Sequence, residues 1–507
     1  MIVMVFLMTM MPVFSEIASF EGGLVKEMTL TSGTYNYQEV LFITGEPILL
    51  TGTIKIPTIP EDKASYTLKY DYELRNVDEN IELSRSVTYS VTKTLKDTYK
   101  QTLYNYEMTK LDESIDVAGV EYTLDSKNFT RSMTYDNTAA VDYFSGNLYL
   151  KRMYYINGDQ YTNEGKVSVE ITSSNDEGAL IGYDHLWGTA ETYMSKMTIE
   201  KTWVNPDYDP EVLNSPKELY WQGFVNLKAS EQVFSEFKYQ KTSPQNISFF
   251  GNYVRVDQIE NVLQYDYDLP MFEGDTLVPL KRNKGEESLR TDKVVNGNSM
   301  VIPRIRDIGG HWAEEAIFLL SSLEIINNDS EYYGPNLNLT RIEFAEMISN
   351  AIATIEDRSQ TDVIRSLRPG ASQMFHDIPN DHPKYNYVVY AYNNDIMEGY
   401  ANYFYPNGQI TRAEMVKIII AALGLENRAP ALPFETRYDD DAQIPDWAKR
   451  YVYMADEIGL VTGYPDNTFK PNAYVSRAEG STMVYNFINH IKDNIRIDFR
   501  EKLINRY

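Results

Sequence analysis

The chain has 507 residues, a formal net charge of −26 and no cysteine. This length accommodates about two to four domains, and the lack of cysteine excludes disulfides, thiolate metal sites and thiol nucleophiles. The strong negative charge argues against nucleic acid or anionic lipid as a general partner, so an anionic ligand would need a local basic site.

The first residues, 1–14, are almost wholly apolar and are followed by small residues at Ser15, Ala18 and Ser19. Because this stretch is too short to span a bilayer, we interpret 1–19 as a secretory signal peptide cleaved near these small residues. A buried N-terminal strand is the alternative. We therefore expect an exported protein with no membrane anchor after cleavage. An exported chain without cysteine suits the exterior of a Gram-positive cell better than an oxidising compartment.

Residues 20–272 are dominated by a period of two, in which Tyr, Thr and Val alternate with polar residues. The clearest runs are 66–74, 87–91, 102–108, 167–171, 198–204, 233–239 and 249–256. Such alternation is typical of antiparallel strands with one buried and one wet face. We expect an all-β region, a sandwich or a pair of sandwiches, with turns at Ser145-Gly146-Asn147, Asn157-Gly158 and Asn205-Pro206.

Catalytic candidates in this region are few. His185 follows an aspartate, but a neighbouring Asp-His pair is no triad. The pairs Asp207/Asp209 and Asp266/Asp268 would put two carboxylates on one side of an extended chain, which suits Ca²⁺ weakly. No two carboxylates stand out as the acid and base of a glycosidase. We therefore predict no catalytic residue and no resident cofactor, with Ca²⁺ as a weak candidate.

Residues 273–304 lose the alternation and gather Lys, Arg, Glu, Asn and Gly, which predicts a linker. From 305 onward the period becomes helical and one pattern occurs three times. We assign the repeats to 305–352, 375–424 and 438–491, with linkers at 353–374 and 425–437 and a tail at 492–507.

Each repeat contains the phrase Thr/Ser-Arg-x-Glu, preceded by a proline five residues before the Thr or Ser. The phrase predicts a capping box that opens a helix, since the hydroxyl and the carboxylate each reach the other residue's backbone N–H. The three pairs are Thr340 with Glu343, Thr411 with Glu414, and Ser476 with Glu479.

Each phrase also places an arginine in the first helical turn, at Arg341, Arg412 and Arg477. A cation there opposes the helix dipole. We considered two explanations. One is an anion held jointly by the guanidinium and the free N–H groups of the helix start. The other is an ion pair with a neighbouring repeat.

At these residues the sequence resembles the S-layer homology family, which anchors surface proteins to bacterial cell walls. The resemblance implies three helical repeats in a pseudo-threefold domain whose grooves bind a pyruvylated secondary wall polysaccharide. Carried over by position, the family's binding residues fall on Arg341, Arg412, Arg477, Trp312, Trp447, Gly399, Gly463 and Lys470. For the two tryptophans, packing in the core at the helix start is the alternative.

The repeats depart from the family pattern at four positions. Pro383 replaces the tryptophan of the second repeat, Asn328 takes the glycine position of the first, and Gly334 and Tyr405 stand where Lys470 stands in the third. A complete set of binding elements therefore occurs only in the third repeat. We expect a non-catalytic S-layer or envelope protein that is extracellular and wall-bound, with self-assembly or other surface proteins as further partners. A wall-anchored enzyme acting on glycans and an adhesin are the alternatives.

Overall fold

The computed structural model describes residues 22–25, 32–60, 63–96, 100–173, 180–205, 208–211, 216–241, 251–273, 276–328, 330–353 and 373–495. The predicted signal peptide, most of the first linker between repeats, and Asp207 lie outside these residues.

The first part of the chain forms one antiparallel sheet. Its strands are β1 Gly23–Val25, β2 Gly33–Leu41, β3 Ile48–Ile56, β4 Ser65–Asn76, β5 Ile81–Lys96, β6 Gln101–Val117, β7 Val120–Asn137, β8 Asp142–Ile156, β9 Gly165–Thr172, β10 Leu180–His185, β11 Gly188–Val204, β12 Glu218–Gln240, β13 Asn252–Glu273 and β14 Thr276–Ser299. Successive strands pair in sequence order except at β9 and β10, which both lie between β8 and β11 and pair with different parts of these two strands. The predicted antiparallel strands are confirmed, but they form a single sheet and not separate sheets of a sandwich.

The buried face of this sheet lines one apolar core that extends from β1 to β13. Near its two ends the sheet returns on itself, since the Asn261 side-chain amide of β13 donates to the Val25 carbonyl of β1 at 3.1 Å. Two of the arginines buried in this part of the chain form ion pairs there. Arg85 pairs with Glu39 at 2.9 Å and with Glu113 at 2.6 Å, and Arg152 pairs with Glu113 at 3.1 Å. Because each charge has an opposite charge beside it, the interior tolerates their burial.

Two sequence predictions for this region are wrong. The predicted linker contains β14, which pairs with β13 from Thr276 to Ser299. This strand lies at the edge of the sheet and buries none of its described side chains, so it lacks the apolar alternation that reveals a strand. The predicted turn at Ser145-Gly146-Asn147 lies inside β8. Gly146 is there because a Cβ would approach the Ser132 carbonyl oxygen to 2.7 Å.

The described repeats contain six α-helices. They are α1 Glu314–Ser322, α2 Arg341–Ile352, α3 Tyr385–Asn393, α4 Arg412–Leu423, α5 Asp446–Glu457 and α6 Arg477–Asn489. The second helix of each repeat packs on the first helix of the next, which pairs α2 with α3, α4 with α5, and α6 with α1. Among the described helices, none is both long and apolar enough to cross a membrane.

The sheet and the helical repeats share a core. Trp187, in the turn between β10 and β11, is buried among the helices and donates its indole N–H to the Ala351 carbonyl at 2.9 Å. The Ala140 amide donates to the Ala422 carbonyl at 2.9 Å. Tyr239 and Tyr253 pack against Phe318 of α1. The two parts of the chain are therefore docked through apolar contacts and backbone hydrogen bonds.

Candidate functional site

The second helix of each repeat begins with a complete capping box. At α2 the Thr340 hydroxyl accepts from the Glu343 N–H, and the Glu343 carboxylate accepts from the Thr340 N–H at 2.9 Å. The same exchange occurs between Thr411 and Glu414 and between Ser476 and Glu479. Each motif thus satisfies two of the backbone N–H groups at its own helix start.

The two backbone N–H groups between the residues of each capping box donate to a loop of the following repeat. At α2 the Arg341 N–H donates to the Gly408 carbonyl at 2.8 Å and the Ile342 N–H to the Pro406 carbonyl at 3.0 Å. The corresponding bonds, of 2.8 to 3.1 Å, join Arg412 to Ala473, Ala413 to Pro471, Arg477 to Leu337 and Ala478 to Pro335. The first repeat contacts the second, the second the third, and the third the first, in a closed cycle.

These bonds overturn the hypothesis that the helix starts hold an anion. A helix start attracts an anion through N–H groups that have no other partner. Here the loop around Pro335, Pro406 or Pro471 supplies carbonyl oxygens to those groups. The helix starts therefore serve as joints between repeats.

The three arginines lie in the same joints. Arg341 donates from Nε to the Phe404 carbonyl at 3.0 Å, and Arg412 donates likewise to the Phe469 carbonyl at 2.9 Å. Arg477 donates from Nη1 to the Tyr333 carbonyl at 2.6 Å. Their side chains are only 16%, 11% and 26% exposed, respectively. Each guanidinium thus supports the loop that carries the next repeat's aromatic residue.

Each arginine also faces the capping glutamate of the following repeat. Arg341 lies 3.8 Å from Glu414, Arg412 lies 3.7 Å from Glu479, and Arg477 is paired with Glu343. Burial opposes ionisation of Glu343, but the Thr340 N–H and hydroxyl and the Arg477 guanidinium outweigh it and lower its pKa. Of the two explanations for the arginines, the structure shows the ion pair between repeats. Their contact with polysaccharide stays a prediction.

The joint between the second and third repeats brings two cations onto one ring. Arg412 lies 4.7 Å and Lys470 4.1 Å from the centre of the Tyr464 ring, and the Tyr464 hydroxyl donates to Glu479 at 3.2 Å. Lys470 is 44% exposed and pairs with Asp466 at 3.2 Å. The joint thus places a solvent-facing ammonium beside a tyrosine and a guanidinium, and each of the two cations has a carboxylate partner, Asp466 for Lys470 and Glu479 for Arg412.

The two predicted tryptophans face solvent. Trp312 is 65% and Trp447 is 49% exposed, so neither serves as a core residue. In the second repeat, where proline replaces the tryptophan, the loop before α4 exposes Tyr400, Tyr403 and Tyr405 instead. Exposed rings are available in all three repeats.

The predicted glycines allow close packing beneath these loops. A Cβ at Gly399 would lie 2.4 Å from the Phe375 ring, and one at Gly463 would lie 2.5 Å from the Tyr438 ring. Gly463 also has a φ of +74°. Their role is therefore to let the loop approach the aromatic residue that begins the repeat.

Lys470 and the residues at the equivalent loop position of the other two repeats all have a left-handed backbone conformation. The φ angles of Gly334, Tyr405 and Lys470 are +68°, +60° and +57°. The loops therefore keep one conformation, although only the third carries a lysine there. Asn328, which stands at the glycine position of the first repeat, does not have a positive φ, although asparagine tolerates one.

Three aspartates that set this loop conformation were not among the predicted site residues. Asp307 accepts from the N–H groups of Tyr333 and Gly334 at 2.8 and 2.7 Å. Asp377 and Asp440 bind the corresponding pairs of N–H groups in the second and third repeats. Burial opposes ionisation of Asp307, but the two N–H groups lower its pKa. The sequence contained a signal for these residues, since an aspartate occurs at the same point of all three repeats.

The remaining candidates do not form a site. His185 is half-buried, its ring accepts from the Trp187 N–H at 3.2 Å, and desolvation lowers its pKa to about 3. Asp268 pairs with Arg282 and Lys284, while Asp266 accepts from Asn226. Among the described residues, no cluster of three or more His, Asp or Glu side chains is arranged to hold a metal.

A family model described as the S-layer homology domain matches residues 304–345, 375–416 and 437–479. The chain is 30% identical to exoglucanase XynX of Acetivibrio thermocellus over 36% of its length and 16% of that protein. It is 27% identical to the surface-layer 125 kDa protein of Lysinibacillus sphaericus over 37% of its length and 15% of that protein. It is also 27% identical to the cellulosome-anchoring protein of A. thermocellus over 30% of its length and 32% of that protein. The chain therefore spans a third or less of the length of these relatives.

The class of protein follows from these matches. The helical part of the chain consists of three S-layer homology domains. The protein is accordingly a cell-surface protein associated with the bacterial cell wall.

Proposed function

We propose that this chain is a non-catalytic extracellular surface protein, held on the wall without a covalent bond by repeats that bind an anionic, pyruvylated secondary wall polysaccharide. The observation that carries this proposal is the joint where Arg412 and Lys470 flank Tyr464. A pyruvyl ketal presents a carboxylate, and an ammonium with three N–H donors suits it.

Lys470 is the principal cation of this proposed site. Its bond to Asp466 is an exposed ion pair, which contributes little to stability and is readily exchanged for a ligand carboxylate. Arg412 is largely buried and acts on the ligand chiefly through the positive charge it adds beside Tyr464. The exposed faces of Trp312 and Trp447 offer apolar surfaces on which sugar rings can stack.

The three repeats would form a pseudo-threefold domain. The closed cycle of backbone bonds and the helix pairs α2 with α3, α4 with α5 and α6 with α1 support this arrangement. The three joints are chemically unequal, because Gly334 and Tyr405 occupy the lysine position in the first two repeats. We therefore infer that the joint between the second and third repeats binds the acidic group most tightly.

The sheet would face away from the wall. β11 begins next to Trp187, which contacts the helices. The strand is 17 residues long and runs away from the helices. At about 3.3 Å per residue, the far end is about 50 Å distant. Exposed apolar residues occur near that end of the sheet, at Val77, Tyr161 and Tyr220. The docked sheet would thus present a fixed surface to the surroundings.

An anchored enzyme acting on glycans is the second candidate, favoured by the relative named exoglucanase. It requires two carboxylates about 5–10 Å apart in a concave site. Release of reducing sugar from wall glycan by the chain, abolished by replacing such a carboxylate, would establish it. An adhesin carried on the same anchor is the third candidate, and it would need an exposed platform for an outward ligand.

Binding of the full chain to purified wall sacculi tests the anchoring proposal. We expect binding to intact sacculi and loss of binding after the secondary polysaccharide is extracted. Lys470→Gln should weaken binding by at least about tenfold, since a bond between charged groups is lost. Lys417→Gln, on α4 and 30% exposed, is the matched control and should bind as the parent does. Equal binding to intact and extracted sacculi would refute the proposal.

A further inference from the structure

The sheet ends on one side in a long strand that has a single partner. In the described part of the chain, β14 pairs with β13 and with no other strand, whereas the opposite edge of the sheet is the three-residue β1. In an antiparallel pair, alternate residues direct their N–H and C=O groups away from the partner. A row of backbone donors and acceptors therefore faces outward along β14.

Edges of this kind are usually protected against pairing. Prolines, bulges and charged side chains are common devices. In β14 the register breaks lie at its two ends, near Pro279 and between Val295 and Asn298, and the stretch between them carries charged residues. From Arg282 to Val295 the pairing with β13 continues without a break, and the sequence contains no proline. This segment, which we call the β14 edge, is regular enough to accept another strand.

The charges on the β14 edge are self-complementary. When two copies of the edge are placed antiparallel about a two-fold axis at Ser288, Glu286 of one copy lies opposite Arg290 of the other, and the reverse pair forms as well. Among the side chains that the structure describes on this edge, no two like charges face each other. Parallel pairing in register would set every charge beside its own copy.

The side chains concerned are accessible. Arg290 is 59% exposed and donates to Glu260 at 2.7 Å, and Glu286 is exposed and accepts from Gln264. Lys284 is 66% exposed and lies 2.9 Å from Asp268. Exposed pairs of this kind exchange partners at little cost. Opposite charges directly across two strands stabilise their pairing, while like charges destabilise it.

We propose that the β14 edge is an interface between two copies of this chain, which join antiparallel about a two-fold axis near Ser288 into one continuous sheet. The contact is isologous, because the same residues serve both copies. It uses main-chain hydrogen bonds for affinity and the Glu286–Arg290 pairs for register. The interface lies on the sheet and is independent of the wall-binding joint, so either proposal can fail without the other.

Sedimentation velocity of the full chain over about a hundredfold range of concentration tests the proposal. We expect a monomer at the lowest concentration and a dimer at the highest. Arg290→Glu should raise the dissociation constant about tenfold, because each copy's Glu286 then meets a second carboxylate. The double variant E286R/R290E exchanges the charges and should restore the parent's dissociation constant. Lys110→Glu, at an exposed lysine on β6, is the matched control and should have no effect.

The melting temperature of each variant shows whether it is folded. If Arg290→Glu does not fold, Glu286→Arg gives the same test, since Arg290 then faces a second cation. A monomer at every concentration would overturn the proposal. Any strand that pairs with the β14 edge would then come from another protein. A dimer insensitive to Arg290→Glu would also overturn it, because the two copies would then meet elsewhere.

Discussion

Replacing Arg477 with alanine should destabilise the repeats before it affects any ligand. The side chain donates to the Tyr333 carbonyl at 2.6 Å and pairs with Glu343, so it joins the third repeat to the first. Hydrogen bonds that involve a charged group contribute about 1.5–3 kcal/mol each when buried. Arg477 is 26% exposed, which reduces these values, and we expect a loss of about 2–3 kcal/mol.

Urea unfolding followed by circular dichroism measures this loss. Lys470→Ala is the control, because the lysine is 44% exposed and should change stability by less than about 0.5 kcal/mol. Thr340 and Arg477 lower the pKa of Glu343 from its ordinary value of 4.5. The advantage of the parent over Arg477→Ala should therefore be complete above pH 4.5 and decline as the pH falls through the lowered pKa. A loss below about 0.5 kcal/mol at neutral pH would refute the assignment of Arg477 to a joint.

Three further predictions concern packing. Glu113→Gln should cost about 3–5 kcal/mol at neutral pH, because Arg152 loses its buried partner. Burial opposes ionisation of Glu113, but Arg152, Arg85 and Tyr154 outweigh it and lower its pKa to about 2. The urea midpoints of parent and variant should therefore differ most above pH 4.5 and converge towards pH 2. Trp187→Phe should cost about 1–2 kcal/mol, because the Ala351 carbonyl loses its hydrogen-bond donor. Calorimetry should still show one unfolding transition shared by the sheet and the helices. Separate transitions would contradict the core that they share. Gly463→Ala should lower the melting temperature more than Gly459→Ala. Both glycines have a positive φ, but only a Cβ at Gly463 would meet an aromatic ring. Equal effects of the two substitutions would contradict the packing role of Gly463.

Local motifs in the repeats were predictable from the sequence. The capping boxes involve residues three apart, so the phrase Thr-Arg-x-Glu contains the whole interaction. The partners of Arg341 were not predictable, because Phe404 and Gly408 lie in the next repeat. The helix dipole argument therefore identified an unusual arginine but could not show which group compensates for it.

In the sheet, period two identified strands where one face is buried, as in β4 and β9. It could not show that successive strands form one sheet, because periodicity carries no information on pairing. It failed at β14, where Leu277 and Leu289 are only partly buried against the core and charged residues outnumber apolar ones. The charges that suggested a linker are the residues that pair with β13, such as Arg282 with Asp268.

The most direct test of the account is the affinity of the full chain for the isolated secondary wall polysaccharide, measured by calorimetry before and after removal of its pyruvyl groups. We predict that removal weakens binding by at least about tenfold, that Lys470→Gln has a similar effect on the intact polymer, and that Lys417→Gln has none. Equal affinity for both polymers, together with unchanged binding by Lys470→Gln, would contradict the claim that the joint at Tyr464 recognises an acidic sugar.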